Sequence, residues 1–289
     1  VPAAAGQPRD GGEARSASAG ATPVPALEAR DVRVEIGDKT ILHTADLTLE
    51  AGKLVAVVGP NGAGKSTLAR AVAGMQKTAA GAVRWMGDDL AKLRGRKLAL
   101  RRAFVPQRAR VPDGVTVTEA VRIGRSPHLK PLQRATRRDN EAIERAMERT
   151  GVTKFADRKL TTLSGGELQR VQIAVALAQE APVLMADEPT SHLDLGATVA
   201  VAKLLRSLAD EGLAVLLVAH DLSLAAAVAD TVVVMSDGRT VAAGPPLETL
   251  THARLDEVWG VDASVQASGH HTALHVAWLG GADAHGDAS

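Results

Sequence analysis

The sequence holds no cysteine. Disulfides and thiolate metal sites are therefore excluded, which fits a reducing compartment. An excess of one charge is missing too, with Lys+Arg 34 against Asp+Glu 33 and a net charge of +1. Such a balance exerts no general pull toward nucleic acid or anionic lipid, and no local patch argues for a nucleic-acid partner. Long apolar runs are also lacking. Stretches such as "LAVLLVA" at 213–219 fall far short of the roughly 20 residues that a membrane-spanning helix needs. A span across a bilayer is excluded on this ground, while peripheral attachment is allowed. Aromatic residues make up 2% of the chain, and tyrosine is absent.

With 289 residues and 45% hydrophobic content, the chain is long enough for one large domain or two small ones with a real core. Residues 1–24 are rich in Ala, Gly, Pro and Ser, contain no apolar run of secretory-signal length, and read as a disordered tail. Residues 261–289 read as an extension, partly disordered, in which "TALHVAWLG" can add a strand. The neighbouring His270 and His271 have no third ligand nearby and read as solvated.

Between these ends the pattern is α/β. Leu27 to Glu50 alternates as an antiparallel layer with a turn at "GDK", and "AVRWMGDDL" reads as another edge strand and turn. "RRAFVPQ" reads as a strand running to Gln107. From about 108 to 162 the composition turns charged and helical with Pro interruptions, as expected of a helical subdomain inserted into the core. Arg94, Arg96, Lys97, Arg101 and Arg102 flank its entrance and read as a solvated helix face. Strands and helices then alternate to about 236, which predicts a mainly parallel sheet covered on both faces.

Chemistry enters with "GPNGAGKST", a short β-branched run followed by glycines and a helical pattern, the context of a P-loop. Gly59, Gly62 and Gly64 let backbone N–H groups wrap phosphates. Lys65 supplies a point charge for the β and γ phosphates, and Ser66 a hydroxyl for Mg²⁺. The whole loop, Gly59, Pro60, Asn61, Gly62, Ala63, Gly64, Lys65, Ser66 and Thr67, is the candidate ATP-binding segment. "VLMADE" delivers Asp187, a ligand for Mg²⁺, and Glu188, a general base for the attacking water, at the carboxyl end of a buried strand. Gln107 and His220 each end a further strand. The first is placed to sense γ-phosphate, Mg²⁺ or water, the second to bond γ-phosphate and the catalytic water. A second anion site starts at "LSGGE", where Ser164 is a good N-cap, Gly165 and Gly166 permit close approach, and Glu167 opens the helix. Since one P-loop already surrounds its own nucleotide and no internal repeat is visible, this second site is expected to face a γ-phosphate bound on another protomer.

Taken together, "GPNGAGKST", Gln107, "LSGGE", "VLMADE", "SHLD" and His220 resemble the ATP-binding cassette family over about residues 25–260. The resemblance implies a P-loop ATPase core with a mainly parallel sheet, an antiparallel β layer and an inserted helical subdomain. It also implies a head-to-tail dimer that sandwiches two ATP molecules, each between Lys65 of one subunit and Ser164 to Gly166 of the other, with Asp194 coupling the sites at the seam. Ser66, Gln107 and Asp187 are the implied Mg²⁺ ligands. An aromatic residue that often stacks on adenine is replaced by Glu35 or Ile36 in "VEIGDK", which implies an apolar, weak base contact. "IGRSPHL", "DEPTSHLDL" and "AAGPPLETLTHARLDEVWGVD" are most similar to the ATPases of importers for iron-siderophore complexes, haem and cobalamin. Expected partners are then integral permease subunits at the cytoplasmic face of a bacterial inner membrane and, indirectly, a periplasmic or extracellular substrate-binding protein. The alternative is a soluble cassette with an assembly or scaffold role, such as iron-sulfur cluster assembly.

Overall fold

The computed structural model describes residues 24–107, 111–130, 133–268 and 271–277. The expected disorder at residues 1–23 and 278–289, and the solvation of the His270 and His271 side chains, lie outside what is described.

The chain begins with β1 (Leu27–Ile36) and β2 (Lys39–Leu49), which pair antiparallel around a two-residue turn at Gly37–Asp38. β3 (Leu54–Val58) leads through the glycine loop into α1 (Lys65–Val72), and β4 (Ala80–Trp85) and β5 (Asp88–Asp89) follow. Trp85, fully buried, donates its indole N–H to the Val72 carbonyl at 3.0 Å and ties β4 to the end of α1. α2 (Arg96–Ala99) precedes β6 (Arg102–Val105). Next come α3 (Val117–Ile123), α4 (Arg137–Thr150) and α5 (Gly165–Ala178), then β7 (Val183–Asp187), α6 (Leu195–Asp210), β8 (Ala214–Val218) and α7 (Leu222–Val228). β9 (Thr231–Ser236), β10 (Arg239–Gly244), α8 (Pro246–Thr249), α9 (His252–Trp259), β11 (Ala263–Ser268) and β12 (His271–Val276) complete the described chain.

Ten strands form one sheet in the order β5-β4-β1-β2-β10-β9-β3-β8-β7-β6. β9, β3, β8, β7 and β6 are parallel neighbours, and β1, β2, β4 and β5 pair antiparallel. The antiparallel layer is therefore continuous with the parallel sheet, through β10, which is antiparallel to β9 and meets β2 in parallel at Arg239 and Thr44. All five residues of β3, β7 and β8 are buried, as expected where both faces are covered. Alternate side chains divide between two cores. Val55 and Val57 pack with β1, β2 and α1, while Leu54, Ala56 and Val58 pack with α6 and α7.

The helical segment has a core of its own, built from Val117 and Val121 of α3 and Ile143 and Met147 of α4. It is completed by Val171, Ala174 and Ala178 of α5, a helix that the sequence pattern assigned to the α/β core alone. α5 serves both units, since its Ile173 and Ala176 face the parallel sheet. Gly124 marks the close approach of α3, because a Cβ there would stand 2.2 Å from the Val175 carbonyl oxygen. The basic cluster beside this unit is not a uniform solvated helix face. Arg96 donates to the Pro127 carbonyl at 2.6 Å, Arg101 pairs with Asp88 at 2.5 Å, and Arg102 sits within β6 with burial lowering its pKa.

Candidate functional site

The phosphate loop is held open by conformations that only glycine adopts easily. Gly59 lies at φ 154°, and a Cβ there would stand 2.2 Å from the Met235 carbonyl oxygen at the end of β9. Gly64, at φ 95°, caps α1 while passing against Leu42. Ala63 N–H donates to the Pro60 carbonyl at 3.2 Å and closes the turn between them. Lys65 is buried and donates its ammonium to the Gly59 and Pro60 carbonyls at 2.8 and 3.0 Å. Burial lowers its pKa, opposed by the nearby Glu188 and Asp187 carboxylates.

Register brings the remaining groups to the same edge of the sheet. β3, β8, β7 and β6 run parallel, so the loop after β3, Asp187 and Glu188 after β7, Gln107 after β6 and His220 after β8 all emerge at strand carboxyl ends. β6 stops at Val105 and β8 at Val218, so Gln107 and His220 stand two residues past their strands. Ser66 Oγ donates to Asp187 Oδ1 at 2.8 Å. Asp187 is 1% exposed and its Oδ2 has no hydrogen-bond partner, with Arg70 Nη2 3.8 Å away. A buried carboxylate oxygen left without a hydrogen bond beside a serine hydroxyl suits a hard divalent cation. Among the described residues no group of three His, Cys, Asp or Glu side chains could hold one alone. The Ser66 hydroxyl and the Asp187 carboxylate fit Mg²⁺, which is held by one or two protein oxygens together with substrate phosphates.

Gln107 and Glu188 touch. The Gln107 amide donates to Glu188 Oε2 at 2.6 Å, which orients the carboxylate. Glu188 is itself in the left-handed region at φ 49°, a conformation costing about 1–3 kcal/mol. Its backbone is held there by its own N–H to the Val218 carbonyl at 3.0 Å and by its carbonyl accepting from Ser191 N–H and Oγ. His220 is exposed and lines one cleft with Gln107, Glu188, Ser191 and His192. His192, also at positive φ, escaped the sequence reading, although "TSHLD" carries it directly after the carboxylates.

Ser164 caps α5 in a capping box. Glu167 N–H donates to Ser164 Oγ at 3.3 Å, and Ser164 N–H donates to Glu167 Oε2 at 2.8 Å. That backbone hydrogen bond holds the Glu167 carboxyl below its usual range. Gly166 passes α6 so closely that a Cβ would meet the Ala197 Cβ at 2.8 Å, while Gly165 remains exposed. Asp194 caps α6, accepting from Ala197 N–H at 2.7 Å. Ser164, Gly165, Gly166 and Asp194 line a single groove, and His192 and Leu193 line both this groove and the cleft of Glu188. Glu35 and Ile36, the two residues considered for base contact, are both exposed beside the β1–β2 turn.

A parallel sheet whose carboxyl edge gathers a glycine phosphate loop, a Ser–Asp pair and a Gln–Glu pair defines the P-loop fold of a nucleotide-binding cassette. A family profile described as ABC transporter matches residues 42–191. The chain belongs to the ABC transporter family. It is 46% identical over 226 residues to the cobalamin import ATP-binding protein of Halobacterium salinarum, covering 78% of this chain and 56% of that protein. The chain thus spans little more than half the length of that relative. It is 45% identical over 228 residues to the hemin import ATP-binding protein of Streptomyces coelicolor, covering 79% and 81%. A structure described as a metal-chelate type ABC transporter in an inward-facing conformation superposes with a TM-score of 0.76 at 26% identity, covering 87% of this chain and 97% of that one.

Proposed function

We propose that this protein is the ATP-hydrolysing subunit of a bacterial importer for a metal chelate such as an iron-siderophore complex, haem or cobalamin. The 2.6 Å contact between Gln107 and Glu188, at the carboxyl edge that also carries the phosphate loop, is the observation that carries the hydrolytic reading. In it, Glu188 takes a proton from water as the water oxygen bonds the γ-phosphorus. The bond from that phosphorus to the bridging oxygen breaks, and ADP and phosphate leave. Lys65 offsets phosphate charge, residues 59–67 cradle the phosphates, and His220 bonds the γ-phosphate. Ser66, Asp187 and the carbonyl oxygen of Gln107 would hold Mg²⁺, which supplies charge neutralisation at the phosphates.

The cassette is read as residues 25–260 with a helical subdomain at about 108–162. Two chains are read as a head-to-tail dimer in which Ser164 to Glu167 of one face the nucleotide of the other and Asp194 lies at the seam. The shared groove of Ser164 and Asp194, with His192 and Leu193 reaching the Glu188 cleft, supports that reading. So does a bacterial ABC transporter cassette solved as a dimer, with a TM-score of 0.67 at 26% identity over 76% of this chain and 98% of that one. The importer reading is supported by the hemin and cobalamin import relatives. It assigns the chain to the cytoplasmic face of the membrane, bound to permease subunits. No helix of the described residues is long and apolar enough to cross a bilayer.

The Glu188→Gln variant tests the hydrolytic reading. MgATP binding is expected to persist while turnover falls by about 10²–10⁴-fold. Turnover within a few-fold of wild type in a pure preparation would remove Glu188 as the base.

A further inference from the structure

α7 begins two residues after His220, with Asp221 as its N-cap, and is only seven residues long, three of them alanine. Isolated helices shorter than about 12–15 residues are marginal in water, so the order of α7 must come from packing. Leu224, Ala225 and Ala226 are buried toward the sheet and α6. A further side is covered by β12, which runs against the helix.

The β11–β12 hairpin is amphipathic. Cross-strand pairs Ala263–Val276 and Val265–Leu274 lie on one face and join the cluster that holds Leu222, Ala225 and Ala226. Ser264 and His275 pair on the other face, where His275 is exposed. Ala277 N–H donates to the Asp262 carbonyl at 2.9 Å and closes the open end. A lone two-stranded hairpin is also marginal in water. Neither α7 nor the hairpin stands alone: β11 packs on α8 and α9, and β12, held by that strand, packs on α7.

His220 lies between two anchors. On one side Ala219 N–H donates to the Val57 carbonyl at 3.0 Å. On the other, the Asp221 carboxylate accepts from Ser223 and Leu224 N–H at 2.7 and 3.1 Å, so that anchor is as firm as α7. The His220 side chain is exposed and is placed by its backbone rather than by its own packing.

We propose that the β11–β12 hairpin, through Leu274 and Val276, holds α7 and thereby positions His220 for hydrolysis. The inference rests on the reading of His220 as a γ-phosphate contact, and it makes Leu274 and Val276 positioning residues. In the full chain, Leu274→Asp and Leu274→Ala are compared with the exposed-face control His275→Asp, with His220→Ala, and with the Leu274→Asp/His220→Ala double variant. ATP turnover, KM and amide hydrogen exchange over 221–228 and over α1 are read for each.

Leu274→Asp is expected to lower kcat about five-fold or more with KM changed less than about two-fold. It should speed exchange in α7 but not in α1, and add no further loss to His220→Ala. Leu274→Ala should shift both readings the same way by less, and His275→Asp should shift neither. If Leu274→Asp does not fold, Leu274→Ala decides by the same criteria. Wild-type kcat despite faster α7 exchange overturns the inference, as does a fall in kcat with α7 exchange unchanged or a full additional loss in the double variant. If His220→Ala itself turns over at the wild-type rate, the role of His220 fails, and the inference with it. An inactive His220→Ala beside a fully active Leu274→Asp defeats the inference alone.

Discussion

At the scale of single residues, the site depends on a few positions where one atom decides. Gly59 cannot carry a Cβ, because the Met235 carbonyl oxygen stands 2.2 Å from where it would lie. Gly59→Ala is therefore expected to cost about 2 kcal/mol or more, read as a lower denaturant midpoint, and to abolish nucleotide binding. Asp187→Asn removes charge where Oδ2 has no hydrogen-bond partner. Its effect should be to weaken ATP binding in Mg²⁺ while leaving binding in EDTA nearly unchanged, measured by titration calorimetry. The candidate site residues other than His192 could be named from the chain, because loop glycines, strand-end carboxylates and a capped "SGGE" each leave a local pattern. Their pairings could not. Gln107 and Glu188 are 81 residues apart, and only the adjacency of β6 and β7 brings the amide onto the carboxylate.

At the scale of elements, α4 shows how local chemistry and burial combine. Thr136 and Asp139 form its capping box, and Asp139 also accepts from the fully buried Arg125 Nε at 3.0 Å. Hydrogen bonds from the Thr136 side chain and backbone, with help from Arg125, hold the Asp139 carboxyl at about 2 against an ordinary 3.8. The folded pKa is the lower one, so the stabilisation is complete above about 4 and disappears as pH falls toward 2. Asp139→Asn should reduce stability at neutral pH and flatten the loss of stability between pH 4 and 2, followed by denaturant titration at each pH. β3, β7 and β8 were legible as elements because burial on both faces writes a continuous apolar run. The double role of α5 was not, because its residues are apolar toward two different cores. The β11 segment "ASVQAS" was equally silent, since its two core-facing residues gain their meaning only once α8 and α9 pack against the strand.

At the scale of the whole molecule, the proposed head-to-tail dimer would bring the P-loop of one chain and the Ser164 groove of the other together as one site. Lys65→Ala and Ser164→Arg should each be inactive alone. Mixed in equal amounts, half the dimers would pair one of each and hold one intact site of two, returning roughly a quarter of the wild-type rate. A mixture as inactive as its components would contradict the head-to-tail arrangement. The α/β architecture and the antiparallel layer could be anticipated from alternating patterns, but their union into one ten-stranded sheet runs through β10, which meets β2 at Arg239 with Thr44. The importer assignment is tested most directly by solubilising membranes in mild detergent with Mg²⁺ and identifying what co-purifies with the tagged chain. A polytopic permease in stoichiometric amount is the predicted result, and recovery with soluble proteins alone would contradict it.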